Sequence, residues 1–376
     1  MSELQNAIDR QEKLVLYITG GGSRAISLLL ENGGASKYLL EAYVPYSNEA
    51  LERLIGPTSK SVSASTAELM AFAAYRKAKL ASREEKNSVP VGIGCTASLS
   101  KDNQREGRFN GAYVYLVKPL GVQEWKVEFH SDAPRIEQEN ELAQIIVDIA
   151  FGKLKPENTL TRKLTVRSSS SLYMPIRERE DVLFLADVAI ETPIKLVLPG
   201  SFNPIHDGHI GMMRIAQEMT GLQGVYEISA ANRDKDPITI TDMADRVHAI
   251  ARAGGKAILT NAKLFKDKYK LLRNNGHIEV TFAIGSDTFS RLANDTAKEG
   301  FNFRCEFQRA LIAGSVKFIV FGRRFVGAHG SVHSTGKEFI PAGDLGRVFL
   351  EASTFVPEEI FSSNISSTEI RNATKN

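Results

Sequence analysis

Apolar residues along the 376-residue chain recur in short runs separated by helix-like stretches. In the first half the runs are Leu14 to Ile18, Tyr38 to Val44, Val89 to Ile93, Ala112 to Val117 and Trp125 to Phe129. In the second they are Ile194 to Leu198, Val225 to Ser229, Lys256 to Leu259, Glu279 to Ile284 and Val316 to Phe321. Runs of this length read as strands, and the stretches between them, such as Ser65 to Lys79 and Pro134 to Phe151, read as helices. Regular alternation of the two predicts an α/β protein in which each half has a parallel sheet covered by helices on both faces. Ligands of such sheets bind beyond the carboxyl ends of the strands, so the loops after Leu198, Ile284 and Phe321 are where chemistry is expected.

Between Lys153 and Pro193 strand character is lost, and the basic string RKLTVR and the serine run Ser168 to Ser171 read as a linker. Val182, Leu185, Ala186 and Ala189 recur at helical spacing and predict one helix there, from Arg177 to Ile190. The expected organisation is a domain at 1–152, a linker at 153–193 and a domain at 194–376, in keeping with a prior of about 150 residues per domain. No internal repeat is visible, so the halves are unrelated modules.

Composition narrows the partners. Lys+Arg 47 against Asp+Glu 44 leaves +3, with the basic residues scattered, which gives no footprint of a nucleic-acid or membrane binder and points to small ligands. The two cysteines, Cys95 and Cys305, make neither a disulfide framework nor a zinc site, and a reducing compartment fits them best. The N-terminus is polar, and every apolar run is cut by glycine or charge before it could span a bilayer, so a soluble, cytoplasmic protein is expected.

The most informative stretch follows the strand Lys195 to Leu198: Pro199-Gly200-Ser201-Phe202-Asn203-Pro204-Ile205-His206-Asp207-Gly208-His209, then an amphipathic helix to about Met219. His206 and His209, three apart at a helix start, bring both imidazoles to one side of the first turn. Free backbone N–H groups and the positive end of the helix dipole already favour an anion there. Gly208 keeps the space between them clear, and Gly200, lacking a Cβ, lets the loop backbone approach a phosphate. Two imidazole donors suit an in-line displacement in which negative charge builds on phosphoryl oxygens. When the attacking group is itself a phosphate oxyanion, neither a general base nor a covalent nucleophile is required, and none is obvious. Alone, the histidine pair is as readily a polar turn or half of a metal site; its place between strand and helix favours the phosphate.

At the far end, Ile365-Ser366-Ser367-Thr368-Glu369-Ile370-Arg371 offers two helix-capping serines and a guanidinium one turn after Ser367, a set suited to a triphosphate tail. The plainer reading is an ordinary capped terminal helix, too short to be ordered unless it docks on something.

Together, GSFNPIHDGH and ISSTEIR resemble the HxGH-type nucleotidyltransferase superfamily, which includes the nicotinamide mononucleotide, pantetheine-phosphate and cytidylyl transferases; both motifs match without departure. The resemblance implies a Rossmann-like sheet in which Gly200, Ser201, Phe202 and the catalytic pair His206 and His209 hold the ATP phosphates, and Ser366, Ser367, Thr368 and Arg371 hold the triphosphate. The segment Glu227 to Pro237 is similar to the one that follows the second strand of mononucleotide adenylyltransferases, and Gly285-Ser286-Asp287 resembles their GxD. By that likeness Asn232 and Lys235 belong to the acceptor, with Lys235 on its phosphate, and Asp287 meets a ribose hydroxyl. A solvated lysine and a helix-capping aspartate are the bland alternatives. Arg323 adds a phosphate contact or is a surface residue.

In the first half, Leu14 to Ala25 reads alone as a strand and a GxGxxA loop, a weak dinucleotide signal. With GGASKYLLEAYVPYSNEALERLIG, the Thr19-Gly20-Gly21 string is instead similar to the CinA C-terminal family of nicotinamide mononucleotide amidohydrolases, over roughly residues 10 to 152. That family carries a nucleophilic serine and an activating lysine where this chain has Tyr17 and Leu51. A phenol and an aliphatic chain cannot replace them. The glycine-rich Gly92 to Ser98, read as a loop, also departs from the family. No deamidase activity is expected; what remains is a phosphate-sized, glycine-lined pocket that binds a nucleotide without reacting, holds a homo-oligomer together or runs other chemistry.

The leading expectation is adenylyl transfer from ATP, with Mg²⁺, to a mononucleotide, foremost nicotinamide mononucleotide, giving NAD and pyrophosphate. Rivals are another phosphate acceptor, or CTP as donor, a bifunctional chain with a working amidohydrolase, and a nucleotide sensor without turnover. All transfer motifs lie between Gly200 and Arg371, so a chain beginning near Glu180 is expected to suffice.

Overall fold

The computed structural model describes residues 3–31, 33–101, 109–130, 132–153, 155, 159–178, 183–185, 193–231, 236–300, 302, 304–327, 330–362 and 367–373. The chain forms two compact units, Met1–Arg177 with Lys235–Thr241, and Glu178–Asp234 with Asp242–Asn376. The first therefore includes a short stretch from far downstream.

In the first unit the elements run α1 (Glu3–Asp9), β1 (Glu12–Thr19), α2 (Arg24–Leu30), β2 (Leu39–Tyr43), α3 (Asn48–Ile55), α4 (Ala64–Ala81), β3 (Val89–Ser98), β4 (Gly111–Lys118), β5 (Gly121–Phe129), α5 (Arg135–Ala150), β6 (Thr161–Ser170) and α6 (Pro175–Glu178, which ends one residue past the unit). Its sheet has the order β2-β1-β3-β4-β5-β6. Only β2, β1 and β3 are parallel; from β3 onward the pairs are antiparallel, which corrects the expectation of a parallel sheet. The cause is local: β4 and β5 are joined by Pro119-Leu120 alone, and a link that short cannot make the crossover parallel strands need.

Strand β6 falls inside the expected linker. It pairs with β5, and the basic residues that looked like linker composition are cross-strand partners of acidic ones, Arg167 on Glu124 at 2.6 Å and Arg162 on Glu128 at 2.8 Å. Likewise Gly92 and Gly94 lie in β3, not in a loop. A Cβ on Gly94 would stand 2.3 Å from the Ala67 carbonyl oxygen, and one on Gly92 would stand 2.3 Å from the Tyr75 nitrogen, so these glycines let the backbone of α4 rest on the strand.

The second unit continues with β7 (Leu183–Leu185), β8 (Leu196–Pro199), α7 (Asp207–Thr220), β9 (Gly224–Ser229), α8 (Ile240–Arg252, whose first two residues belong to the first unit), β10 (Ala257–Thr260), α9 (Phe265–Asn274), β11 (Val280–Gly285), α10 (Ser286–Glu299), α11 (Glu306–Ile312), β12 (Val316–Phe321), the hairpin β13 (Arg323–Gly327) and β14 (Gly330–Ser334), α12 (Asp344–Glu351), β15 (Ser353–Val356) and α13 (Ser367–Ala373). Its main sheet has the order β15-β12-β11-β8-β9-β10-β7, parallel except for β7. Of the helix expected from Arg177 to Ile190, residues 179–182 and 186–190 lie outside the described residues, Arg177 and Glu178 end α6, and Leu183–Leu185 are strand instead, pairing antiparallel with β10 as this short apolar run completes a sheet edge. After β8 the chain moves to one side through β9 and β10, then returns to the other through β11, β12 and β15. The strand order thus reverses between β8 and β11, where a doubly wound sheet opens a crevice at its carboxyl end. Beneath it lie Phe282, Phe289, Phe318 and Phe349, all buried.

Replacing Gly94 by Ala should destabilise the first unit by about 1–3 kcal/mol, since two backbones would have to separate. Trp125, the only tryptophan and fully buried in this unit, reports the transition in denaturant; an unchanged midpoint would refute the close backbone approach.

Candidate active site

The loop after β8 is shaped by one aromatic ring. Phe202 has φ +45°, a left-handed conformation that costs a residue with a Cβ about 1–2 kcal/mol. Its ring is 1% exposed and packs edge-on against His209, at 5.0 Å between centroids, and Tyr226, at 5.2 Å. Burying a phenylalanine contributes about 1.5–3 kcal/mol, so packing outweighs the backbone strain. A Cβ on Gly200 would stand 2.6 Å from this ring. Room for the Phe202 ring therefore by itself requires glycine at position 200. Its N–H donates to the Glu227 carbonyl at 3.0 Å and extends the ladder of β8 and β9.

Three carbonyls of the loop are then held from outside. Arg246 of α8 donates to the Ser201 carbonyl at 3.0 Å, Ser367 to the Pro204 carbonyl at 3.0 Å, and Arg371 to the Asn203 carbonyl. The terminal helix α13, too short to stand alone, is ordered on this loop, so the two motifs farthest apart in the second half meet in space. Arg246 was missed in the sequence. It lies on the helix whose apolar residues Met243, Val247 and Ile250 are buried, and a half-buried arginine on such a helix was the available signal. Burial lowers the pKa of its guanidinium, with nearby Arg371 acting the same way and Asp242 opposing.

His206 is the N-cap of α7, in extended conformation, and its carbonyl accepts from the N–H of His209 at 2.8 Å. The two imidazoles stack at 3.8 Å between centroids with planes 29° apart. His209 Nδ1 is buried without a hydrogen-bond partner among the described residues. Its pKa is lowered to about 4, first by burial and then by His206, so at neutral pH the ring is uncharged and can donate one N–H. Two imidazoles and two guanidiniums at the start of a helix can bind a polyphosphate and stabilise charge growing on it.

Asp287 stands in the first turn of α10, half-buried, across the strand-order reversal from the β8 loop. Ser201 is exposed beside Phe202. Asn232, Lys235 and Ser366 lie outside the described residues, as do the side chains of Thr368 and Arg323; the backbone places Thr368 in α13 and Arg323 at the start of β13. Among the described residues no cluster of three or more His, Cys, Asp or Glu could hold a metal, and no helix is long and apolar enough to cross a membrane.

In the first unit Tyr17 and Leu51 share one buried apolar cluster with Val15, Met70, Ala74 and Ala78. The Tyr17 hydroxyl donates to Glu41 at 3.1 Å, and burial, with Glu41 adding to it, raises its pKa. The glycine loop after β1 lines a cavity of about 520 Å³ with Thr19, Ser23, Arg24, Tyr46 and Arg135. Its donors already serve an anion: the Glu139 carboxylate accepts from the Gly22 N–H at 2.6 Å, the Ser23 hydroxyl at 3.1 Å and the Arg24 N–H at 3.3 Å. The chain's own carboxylate thus takes up the donors the sequence reading offered to a phosphate. Cys95 is buried, which raises its pKa and keeps it a thiol.

Residues 197–373 match the family model described as cytidylyltransferase-like. The chain is also similar to solved CinA-superfamily proteins. One from Klebsiella pneumoniae is 13% identical, with 40% of this chain and 88% of that one covered at a TM-score of 0.31. One from Escherichia coli is 18% identical, with 40% and 83% covered at 0.29. A competence/damage-inducible protein from Agrobacterium tumefaciens is 16% identical, with 40% and 89% covered at 0.30. No curated protein matches the chain.

The lowered pKa of His209 has a signed consequence. Above its ordinary value of 6.5 the ring is neutral whether the chain is folded or not; below it, the unfolded chain takes up a proton that the folded one refuses. Stability should fall as pH drops from 6.5 to about 4. NMR titration should find His209 neutral until about pH 4, with MgATP shifting the transition upward; titration near 6.5 in the free protein would contradict the buried geometry.

Proposed function

We propose that the cytidylyltransferase-like domain transfers the AMP part of ATP to the phosphate of a mononucleotide, foremost nicotinamide mononucleotide, giving NAD and pyrophosphate. The observation that carries this reading is the stacked pair His206 and His209 at the start of α7, above a loop held by Arg246 and Arg371.

In the proposed reaction an oxygen of the acceptor phosphate attacks the α-phosphorus of ATP. A new P–O bond forms, the bond from the α-phosphorus to the bridging oxygen breaks, and pyrophosphate leaves with the electron pair. The acceptor is already an oxyanion, so no residue need take its proton. His206 and His209 donate N–H groups to oxygens on which charge grows, and neutral rings suffice for that. Ser366, Ser367, Thr368 and Arg371 hold the departing phosphates, with Gly200, Ser201 and Phe202 forming the floor, and Arg246 adds charge. On the acceptor side Lys235 meets the phosphate, Asn232 lies beside it, Asp287 holds a ribose hydroxyl and Arg323 supplies a further cation. Mg²⁺ arrives on the triphosphate, since such ions take most of their ligands from phosphate and water. Work in the cytoplasm as a soluble enzyme fits this chemistry.

The full-length protein should therefore be incubated with ATP or CTP, Mg²⁺ and a panel of phosphate acceptors, and pyrophosphate and dinucleotide followed. ATP with nicotinamide mononucleotide should give NAD, without ammonia release. Removal of one donor in His209→Ala should lower kcat about 10²-fold with the fold intact. Arg371→Ala should raise the KM for ATP more than that for the acceptor. Absence of product with every pair, or near-normal turnover in His209→Ala, would overturn the assignment.

A further inference from the structure

Helix α7 carries a glycine that its own backbone does not need. Gly211 lies two residues after His209 in right-handed helix, where glycine is a poorer helix former than any residue but proline. A Cβ there would stand 3.0 Å from Cε2 of Phe361, so the missing side chain lets this ring lie against the helix backbone. Phe361 comes from the turn after β15, where its N–H and that of Ile360 both donate to the Pro357 carbonyl at 3.1 Å. Its ring meets Phe321, the last residue of β12, edge-on at 5.1 Å between centroids with planes 79° apart. Phe321 in turn pairs with Gly285, the N-cap of α10. Phe361 therefore stands at the carboxyl end of the sheet, between the helix of the histidines and the strand beside the one that leads to Asp287.

Phe321 is fully buried, whereas Phe361 keeps part of its ring in water, and the adjoining Ile210 and Ile360 are exposed. The other groups of the site are polar: two imidazoles, two guanidiniums and the Ser367 hydroxyl. Gly211 is displaced from His209 by only about 3 Å of helix rise. An aromatic surface so close to a polyanion site suits a single ligand with a phosphate end and a ring end. Six residues after Phe361, Ser367 donates to the Pro204 carbonyl, so the same stretch of chain offers the apolar contact first and the polar one next.

We propose that Phe361 is a specificity-determining residue that stacks on the base of the nucleoside triphosphate donor and favours a purine, with Gly211 setting the height of the ring, a role that rests on the reading of this site as one for nucleotidyl transfer. The choice of ATP over CTP then has a residue behind it. Every base has a π-face, so both nucleotides stack, but the two fused rings of a purine overlap the phenyl ring over a larger area than the single ring of cytosine. No hydrogen bond to the base is needed for this preference, and it is graded rather than absolute.

The test uses the full-length protein with Phe361→Leu, Phe361→Trp and Gly211→Ala. Calorimetry gives Kd for MgATP, MgCTP and magnesium tripolyphosphate, the last being a polyanion without a base. Leucine keeps apolar volume against Gly211 and Phe321 but has no π-face, so it separates stacking from mere propping of α7, and circular dichroism checks that each variant is folded. Phe361→Leu should weaken MgATP about tenfold and MgCTP about threefold, and leave tripolyphosphate unchanged. Phe361→Trp should bind MgATP at least as tightly as the unaltered protein, and Gly211→Ala, which pushes the ring away, should weaken MgATP while sparing tripolyphosphate. Equal weakening of all three ligands by Phe361→Leu, equal weakening of MgATP and MgCTP, or no weakening of either nucleotide would overturn the proposal. If the nucleotides follow the expected pattern and no acceptor yields a dinucleotide, the transfer assignment fails and the purine seat stands.

Discussion

The ring of Phe202 is the constraint on which the second unit's site depends. It fills the volume above Gly200, bears on Tyr226 of β9 and touches His209 of α7, so one side chain ties together two strands and the helix that carries the imidazoles. Its backbone turns left-handed there, and the carbonyls of the same loop accept from Arg246, Ser367 and Arg371. The cations are thereby oriented before any anion arrives. Preorganisation of this kind is where catalysis of charge-building steps gains most, because nothing has to reorganise when charge appears.

The same loop explains why the histidines are suited to donation. The rings stack in a buried turn, and His209, pushed down to about 4, stays neutral at physiological pH. Two charged rings would attract a phosphate more strongly in the ground state. Neutral donors instead respond most when charge has grown, and the fixed charge is left to the guanidiniums. Below the loop the buried pair Lys268 and Glu227, at 2.7 Å, braces β9 against α9. Sheet, helix and loop thus converge on one point of the strand order, where β8 parts the two halves of the sheet.

Much of this was legible in the sequence because it rests on apolar periodicity and local motifs. The ten strand runs all fall on strands, and α4, α5 and α7 lie where helices were expected. What was not legible depends on neighbours distant in the chain. Strand β6 has no buried residue, so its charges and serines imitate a linker until Glu124 and Glu128 of β5 are placed beside them. Gly92 and Gly94 look like a loop because nothing local announces a helix lying on the strand. That glycine at 200 makes room for the Phe202 ring is likewise invisible in the sequence. Glu139, far along the chain, takes the donors of the first glycine loop, and Arg246 acts only through a carbonyl on another element.

In the first unit, Tyr17 and Leu51 are core, and Glu68 accepts from a segment far downstream. The central claim remains that His206 and His209 donate and never attack, so that transfer is a single in-line displacement. The stereochemical course at phosphorus tests this most directly, using ATP with a chiral, sulfur-substituted α-phosphate and ³¹P NMR of the dinucleotide formed. Inversion of configuration is the expected result. Retention would require two displacements through a covalent enzyme intermediate and would contradict the account.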